Sequence, residues 1–202
     1  MKTNFSFKNL YKKTYNPYSS LYSKLGLDLR NVVKNSYKPQ DNIGDFVLDK
    51  ELSGKRQQVY TDPSKKELLY TVAGTRSGTD ILNDFRLVGG GVKNTERFKV
   101  ADRTLKDAKQ KYDGYNTTIV GSSLGGAIGS RLGGEGDTRY TYNTAGIGGK
   151  NRSNNIRDSG DIISIAEAGN SYNFGSGLGL LNPMTWLNSH SSNQLQGKDI
   201  FI

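Results

Sequence analysis

Ser123 is the residue whose neighbours point most directly to chemistry. It stands in Gly121-Ser122-Ser123-Leu124-Gly125-Gly126, behind the apolar run Thr117-Thr118-Ile119-Val120 and ahead of small residues from Ala127 to Leu132. A strand, a Gly-x-Ser-x-Gly pentapeptide and a helix together make a nucleophile elbow, a turn that lifts the middle serine out of a sheet. Gly121 and Gly125 fit such a turn because they carry no side chain. Ser122 lacks glycines at both −2 and +2, so Ser123 is the expected nucleophile. A serine hydroxyl is a poor nucleophile near neutral pH and needs a base, which in turn needs an orienting group. The one histidine is His190, and Asp161 lies between it and the elbow. Asp161 opens the apolar run Ile162-Ile163-Ser164-Ile165, which places it at the edge of a predicted strand. Asp158, expected in the turn Arg157-Asp158-Ser159-Gly160, is the alternative acid.

The elements around these residues alternate. Short strands are predicted at Asp45–Leu48 and Gln58–Tyr60, with a turn at Thr61–Ser64. Glu67–Ala73 is nearly continuous in apolar residues, as suits a strand buried on both faces, and it runs into the polar loop Gly74–Asp80. A short helix is predicted over Ile81–Phe85. Phe98, Ala101, Leu105, Ala108 and Tyr112 recur at spacings of three and four, which predicts a helix over Thr95–Tyr112 with Asn94 or Thr95 as its cap. Further strands are expected at Arg139–Tyr142, around Ile156 and at Asp161–Ala166. Strands alternating with helices imply an α/β fold with a mainly parallel central sheet flanked by helices. Phe174–Leu187, which holds the only tryptophan, reads either as an apolar flap over a pocket or as a buried glycine-rich loop followed by a short helix.

Composition removes several chemistries. There is no cysteine, so disulfides, thiolate nucleophiles and Cys-ligated zinc are excluded, and one histidine excludes multi-His metal sites. Gly146–Asn151 lacks the spacing of a phosphate loop and the hydroxyl residue after its lysine. No metal or cofactor is expected.

The 202 residues carry a net charge of +9, and the first 40 hold eight Lys and Arg against Asp28 alone, which is +7 of that total. Residues 1–40 therefore read as a basic arm rich in Tyr, Lys and Asn, and residues 41–202 as the folded domain. An amphipathic helix is predicted over about Ser19–Val33, with Leu21, Leu25, Leu29 and Val32 or Val33 on one face. Such an arm either packs on the domain or tethers it to an anionic membrane surface or an acidic protein such as a virion component. A nucleic-acid partner is compatible with the charge, but no RNA- or DNA-binding motif accompanies it. Neither a signal peptide nor a membrane-spanning run is visible, so the expected location is intracellular or virion-associated, at most peripheral on a membrane.

The same residues carry a family resemblance. Ile119–Ala127 resembles the elbow of the class 3 (fungal-type) lipases, Gly-His-Ser-Leu-Gly-Gly-Ala. Val72-Ala73-Gly74-Thr75 with Asp80–Asp84 is similar to that family's Phe-Arg-Gly-Thr…Asp-Trp…Asp block. Gly160-Asp161-Ile162-Ile163 resembles its acid motif, and Asn188-Ser189-His190 stands where its histidine motif would. The similarity spans roughly Leu68 to His190. It implies an α/β-hydrolase, whose order of Ser, Asp and His matches Ser123, Asp161 and His190. It also implies an oxyanion hole made by Thr75 and by the backbone N–H of Leu124. The departures are Ser122 for His, Ala73 for Arg, Ile81 for Trp and Ser164 for Pro.

The resulting expectation is a compact α/β-hydrolase with a basic N-terminal extension, cleaving carboxylic esters of lipids by an acyl-enzyme. Small domains of this kind also occur in DNA viruses, and the Asn/Lys/Tyr-rich composition is consistent with such a source. The rival expectation is a non-enzymatic structural or assembly protein on a degenerate hydrolase scaffold, docking by its arm.

Overall fold

The computed structural model describes residues 25–75, 91–144, 153–158 and 170–174. Eight strands among them form one sheet whose spatial order follows the chain. β1 (Asn42–Ile43), β2 (Phe46–Leu48), β3 (Gln57–Asp62) and β4 (Glu67–Val72) make an antiparallel meander. β5 (Asn116–Ser122), β6 (Thr138–Tyr142), β7 (Asn154–Asp158) and β8 (Asn170–Phe174) continue from β4 in parallel. The sheet is thus mixed, and its parallel half begins where helices start to separate the strands. Two-residue turns suffice for antiparallel neighbours, whereas parallel ones need a crossover. Gly44, at φ +58°, makes the tight turn between β1 and β2 and leaves Asp45 outside the strand expected to contain it.

The β3–β4 turn has its own local device. The Asp62 carboxylate accepts from the N–H and hydroxyl of Ser64 at 3.0 and 2.6 Å. A short polar side chain bonding the backbone two residues on is the usual way Asp stabilises a turn.

β4 and β5 are central, and their apolar residues alternate between two cores. Leu69 and Val120 face one side with Tyr60, Tyr140 and Tyr142. Leu68, Tyr70, Val72 and Ile119 face the other with Val59. Period-two alternation sends successive side chains to opposite faces, so a strand with helices on both sides buries both faces, as β4 does, and its Leu68, Leu69, Tyr70 and Val72 are apolar while Thr71 is a buried polar exception.

The second core is covered by α2 (Glu96–Lys111) and α3 (Leu124–Gly129). The Thr95 hydroxyl caps α2 by accepting from the Phe98 N–H at 3.2 Å, and Ala101, Leu105 and Ala108 form the buried stripe that spacing predicts. The first core is covered by α1 (Leu29–Tyr37), whose Leu29, Val32 and Val33 are buried together with Leu25 and Leu27. The helix expected over about Ser19–Val33 is interrupted between Leu25 and Leu29 and runs on to Tyr37, and its Ser19–Lys24 part lies outside the described residues. Gly26 at φ +68° falls within the expected helix and departs from helical backbone, and the Val32 N–H bonds the Asp28 carbonyl at 3.1 Å, so Asp28 stands at the helix start. Asn35 closes the other end, donating to the Asn31 carbonyl and accepting from the Gln40 N–H.

The core therefore extends into the stretch read as an arm, as far as Leu25. Residues 1–24, the helix expected over Ile81–Phe85, the strand expected over Asp161–Ala166 and most of Phe174–Leu187 lie outside the described residues. No helix among the described residues is long and apolar enough to cross a membrane. If α1 is core, Leu29→Ala should lower unfolding free energy by about 2–5 kcal/mol, the range for a buried leucine truncation. Denaturant titration measures this; a change below about 0.5 kcal/mol, as at a surface position, would contradict it.

Candidate active site

β5 reaches the carboxyl edge of the sheet at Ser122, and the chain turns at Ser123 before entering α3. Ser123 has φ 52° and ψ −126°, a left-handed conformation that non-glycine residues rarely adopt. Holding a residue there costs on the order of 1–3 kcal/mol and persists only where the surroundings enforce it. Here they do so by the lack of space. A Cβ on Gly121 would strike the Gly125 carbonyl, and one on Gly125 would strike the carbonyl of Val72 and lie 2.5 Å from that of Ala73. The Ser123 N–H bonds the Tyr142 carbonyl at 3.0 Å, and its own carbonyl accepts from the Ala127 N–H at 3.1 Å. The turn is fastened on one side to β6 and on the other to α3.

Register brings the candidate oxyanion loop to the same place. Val72 is paired with Gly121 in the parallel β4–β5 ladder, so Ala73, Gly74 and Thr75 leave β4 beside Ser122 and Ser123. A Cβ on Gly74 would lie 2.8 Å from the Ser123 Cβ and 2.7 Å from the Ser122 carbonyl. Leu124 is the first residue of α3, so its N–H is one the helix does not use. Thr75 and Leu124 are both buried at the elbow's edge. Ser123, Gly121, Gly125, Gly74, Thr75 and Leu124 are therefore brought together. Asp161 and His190 lie outside the described residues. The alternative acid, Asp158, is the last residue of β7 rather than part of a turn. β7 is extended by its pairing with β6 and β8, which carries the strand two residues beyond Ile156.

Ser122, where the resemblance expects histidine, points its hydroxyl to a different partner. Its Oγ lies 2.9 Å from the Tyr37 hydroxyl, which also accepts from the Gly74 N–H at 3.0 Å. Tyr37 is the last residue of α1. Burial pushes its phenol pKa up, and this outweighs the opposing pull of its bonds to Ser122 and Gly74 and of the Arg97 and Arg56 charges. The phenol is thus neutral across the physiological range and keeps its proton to donate.

Ala73, a second of the four departures, brings no cation of its own, yet two guanidinium groups reach this loop from elsewhere. Arg97 donates to the Ala73 carbonyl at 2.7 Å, and Arg56 donates to the Gly74 carbonyl at 3.0 Å. Neither arginine nor Tyr37 was singled out by motif or spacing. Arg97 did leave a signal. A cation in the first turn of α2 opposes the helix dipole, so it needs a partner beyond the helix. Tyr37 left a weaker one, as an aromatic residue following an amphipathic stripe. Arg56 left none.

Beside Gly126 of α3, a buried polar network holds the chain after β6. Thr141 and Thr144 both donate to the Asn155 Oδ1, at 3.1 and 2.9 Å, and the Thr141 hydroxyl meets that of Ser153 at 3.0 Å. A Cβ on Gly126 would come within 2.8 Å of the Thr144 hydroxyl, so the second glycine of the Gly125-Gly126 pair also marks a close approach.

Known structures share this fold over most of the chain. It is similar to Lip2 lipase from Yarrowia lipolytica, with a TM-score of 0.51 at 12% identity over 81% of this chain and 80% of that one. It is also similar to Rhizomucor miehei lipase in a propeptide complex, with a TM-score of 0.54 at 16% identity over 78% of this chain and 68% of that one. The fold is that of a lipase-type α/β-hydrolase. No protein-family model matches the chain, and no curated protein matches it by sequence. The relation to the class 3 lipases is one of architecture.

The backbone of the elbow gives a direct test. Ser123→Gly should be more stable than Ser123→Ala by about 1 kcal/mol, because relief of left-handed strain exceeds the extra chain entropy that glycine loses on folding. Thermal unfolding of the two variants measures it. A less stable glycine variant would show that Ser123 carries no strain.

Proposed function

We propose that this chain is a carboxylic ester hydrolase acting on lipids, with Ser123 as nucleophile, His190 as base and Asp161 as the acid orienting it. The observation that carries the reading is the Ser123 backbone, held left-handed between two close-packed glycines at the carboxyl edge of a sheet. Strain of this kind at a polar residue is kept where it serves to present a side chain. The loop Gly74-Thr75 pressed against the Ser123 Cβ supports it, since it brings an N–H and a hydroxyl to the turn.

In this reading His190 takes the Ser123 proton as the oxygen attacks the ester carbonyl. The N–H groups of Thr75 and Leu124 receive the oxyanion. His190 then protonates the departing alcohol, and water attacks the acyl-serine to release the acid. Asp161 holds the imidazole tautomer and stabilises its cation. Removing one oxyanion donor of this kind lowers rate by roughly 10²–10³-fold.

A fluorophosphonate probe tests the assignment. The folded protein should be labelled once, at Ser123, and Ser123→Ala should abolish both labelling and hydrolysis of short p-nitrophenyl esters. Absence of labelling in folded protein would refute the enzyme reading.

The lipid substrate is supported by the segment before Leu25, which holds five lysines and no acid. Each basic residue near an anionic leaflet contributes ~1 kcal/mol. Removing residues 1–24 should weaken binding to phosphatidylserine vesicles and flatten its salt dependence, while the α1 core stays intact. Unchanged vesicle co-sedimentation would contradict a membrane tether.

A further inference from the structure

We infer that Tyr37 is a positioning residue of the ester-cleaving site, its hydroxyl and the guanidinium groups of Arg97 and Arg56 together setting the direction of the Thr75 N–H. The inference rests on the proposed roles of Ser123 and Thr75.

Two successive peptide planes carry the argument. The first joins Ala73 to Gly74. Its carbonyl accepts from Arg97 at 2.7 Å and its N–H donates to the Tyr37 hydroxyl at 3.0 Å. The second joins Gly74 to Thr75. Its carbonyl accepts from Arg56 at 3.0 Å. The fourth polar group of the two planes is the Thr75 N–H. A trans peptide is planar, so its C=O and N–H point in opposite directions. Fixing the Gly74 carbonyl therefore aims the Thr75 N–H, and fixing both ends of the preceding plane removes the hinge about which the second could swing.

The three side chains come from separate parts of the chain. Tyr37 ends α1, Arg56 precedes β3 and Arg97 lies in the first turn of α2. Tyr37 does the most, because the same hydroxyl also reaches Ser122, the residue before the nucleophile. A phenol is both donor and acceptor. Accepting from Gly74 leaves its proton for the Ser122 Oγ, so one oxygen ties the oxyanion loop to the elbow. Gly74 admits no alternative packing: a Cβ there would lie 2.5 Å from that hydroxyl. Preorganised donors are effective because they need not reorient as charge develops.

The test is steady-state hydrolysis of a short p-nitrophenyl ester by Tyr37→Phe, paired with hydrogen exchange of the Gly74 amide. Loss of the hydroxyl should lower kcat on the order of 10- to 100-fold, a part of what deleting a donor outright does. KM should stay within about threefold, because the lost contact acts in the transition state. The Gly74 amide should exchange faster whether or not ester is present. Arg56→Gln should show the same kcat-selective loss and Arg56→Lys should recover part of it, which keeps the inference testable if Tyr37→Phe folds poorly. Unchanged kcat in Tyr37→Phe, or a loss confined to KM, would overturn it. A folded wild-type protein that turns over no ester would refute the hydrolase reading itself, and accelerated Gly74 exchange in Tyr37→Phe would then still separate the two failures.

Discussion

The structure turns on a contact in which three stretches of backbone meet with no side chains between them. Gly125 rests on the carbonyls of Val72 and Ala73, Gly121 rests on Gly125, and Gly74 rests on Ser123. Protein interiors tolerate overpacking poorly, with even one added methyl costing about 1–3 kcal/mol, so these three positions admit glycine alone. From that contact follow the left-handed serine, the entry angle of α3 and the path of the chain leaving β4. The elbow and the oxyanion loop are consequently a single packed unit.

The sheet supplies what this unit needs. Parallel pairing of β4 with β5, in a register that sets Val72 opposite Gly121, ends both strands at the same edge. Two cores then hold the strands from either face, and each buried aliphatic side chain contributes roughly 1.5–3 kcal/mol, about as much as the strain at Ser123 costs. A strained residue is sustainable here because the elements on both sides are fixed independently of it.

Much of this was legible in the sequence, for identifiable reasons. β4, β5 and α2 announce themselves by a nearly continuous apolar run, a β-branched run before glycine, and a clean stripe at spacings of three and four. Ser123 was separable from Ser122 by its flanking glycines. α1 was legible as an amphipathic pattern but not in its bounds, because periodicity ran through Gly26 while the backbone did not. Packing of the arm on the domain was one of its two readings, and it holds for α1; the lysines kept the tether reading open, since charge marks the solvent face of a helix and says nothing of the other. β8, Asn-Ser-Tyr-Asn-Phe, has too little apolar content to register as a strand and is held by pairing with β7. Tyr37, Arg56 and Arg97 were invisible as a group because they converge only through tertiary structure, on backbone atoms that leave no trace in residue types.

Whether Ser123 and the Gly74-Thr75 loop work as one site is decided by a crystal structure of the protein after reaction with an alkyl fluorophosphonate. Phosphorus should be bonded to Ser123 Oγ, with its oxygen within hydrogen-bond distance of the Thr75 and Leu124 backbone nitrogens and the His190 imidazole beside Ser123 Oγ. Phosphorus on any other residue, or an oxygen turned away from the Gly74-Thr75 loop, would contradict it.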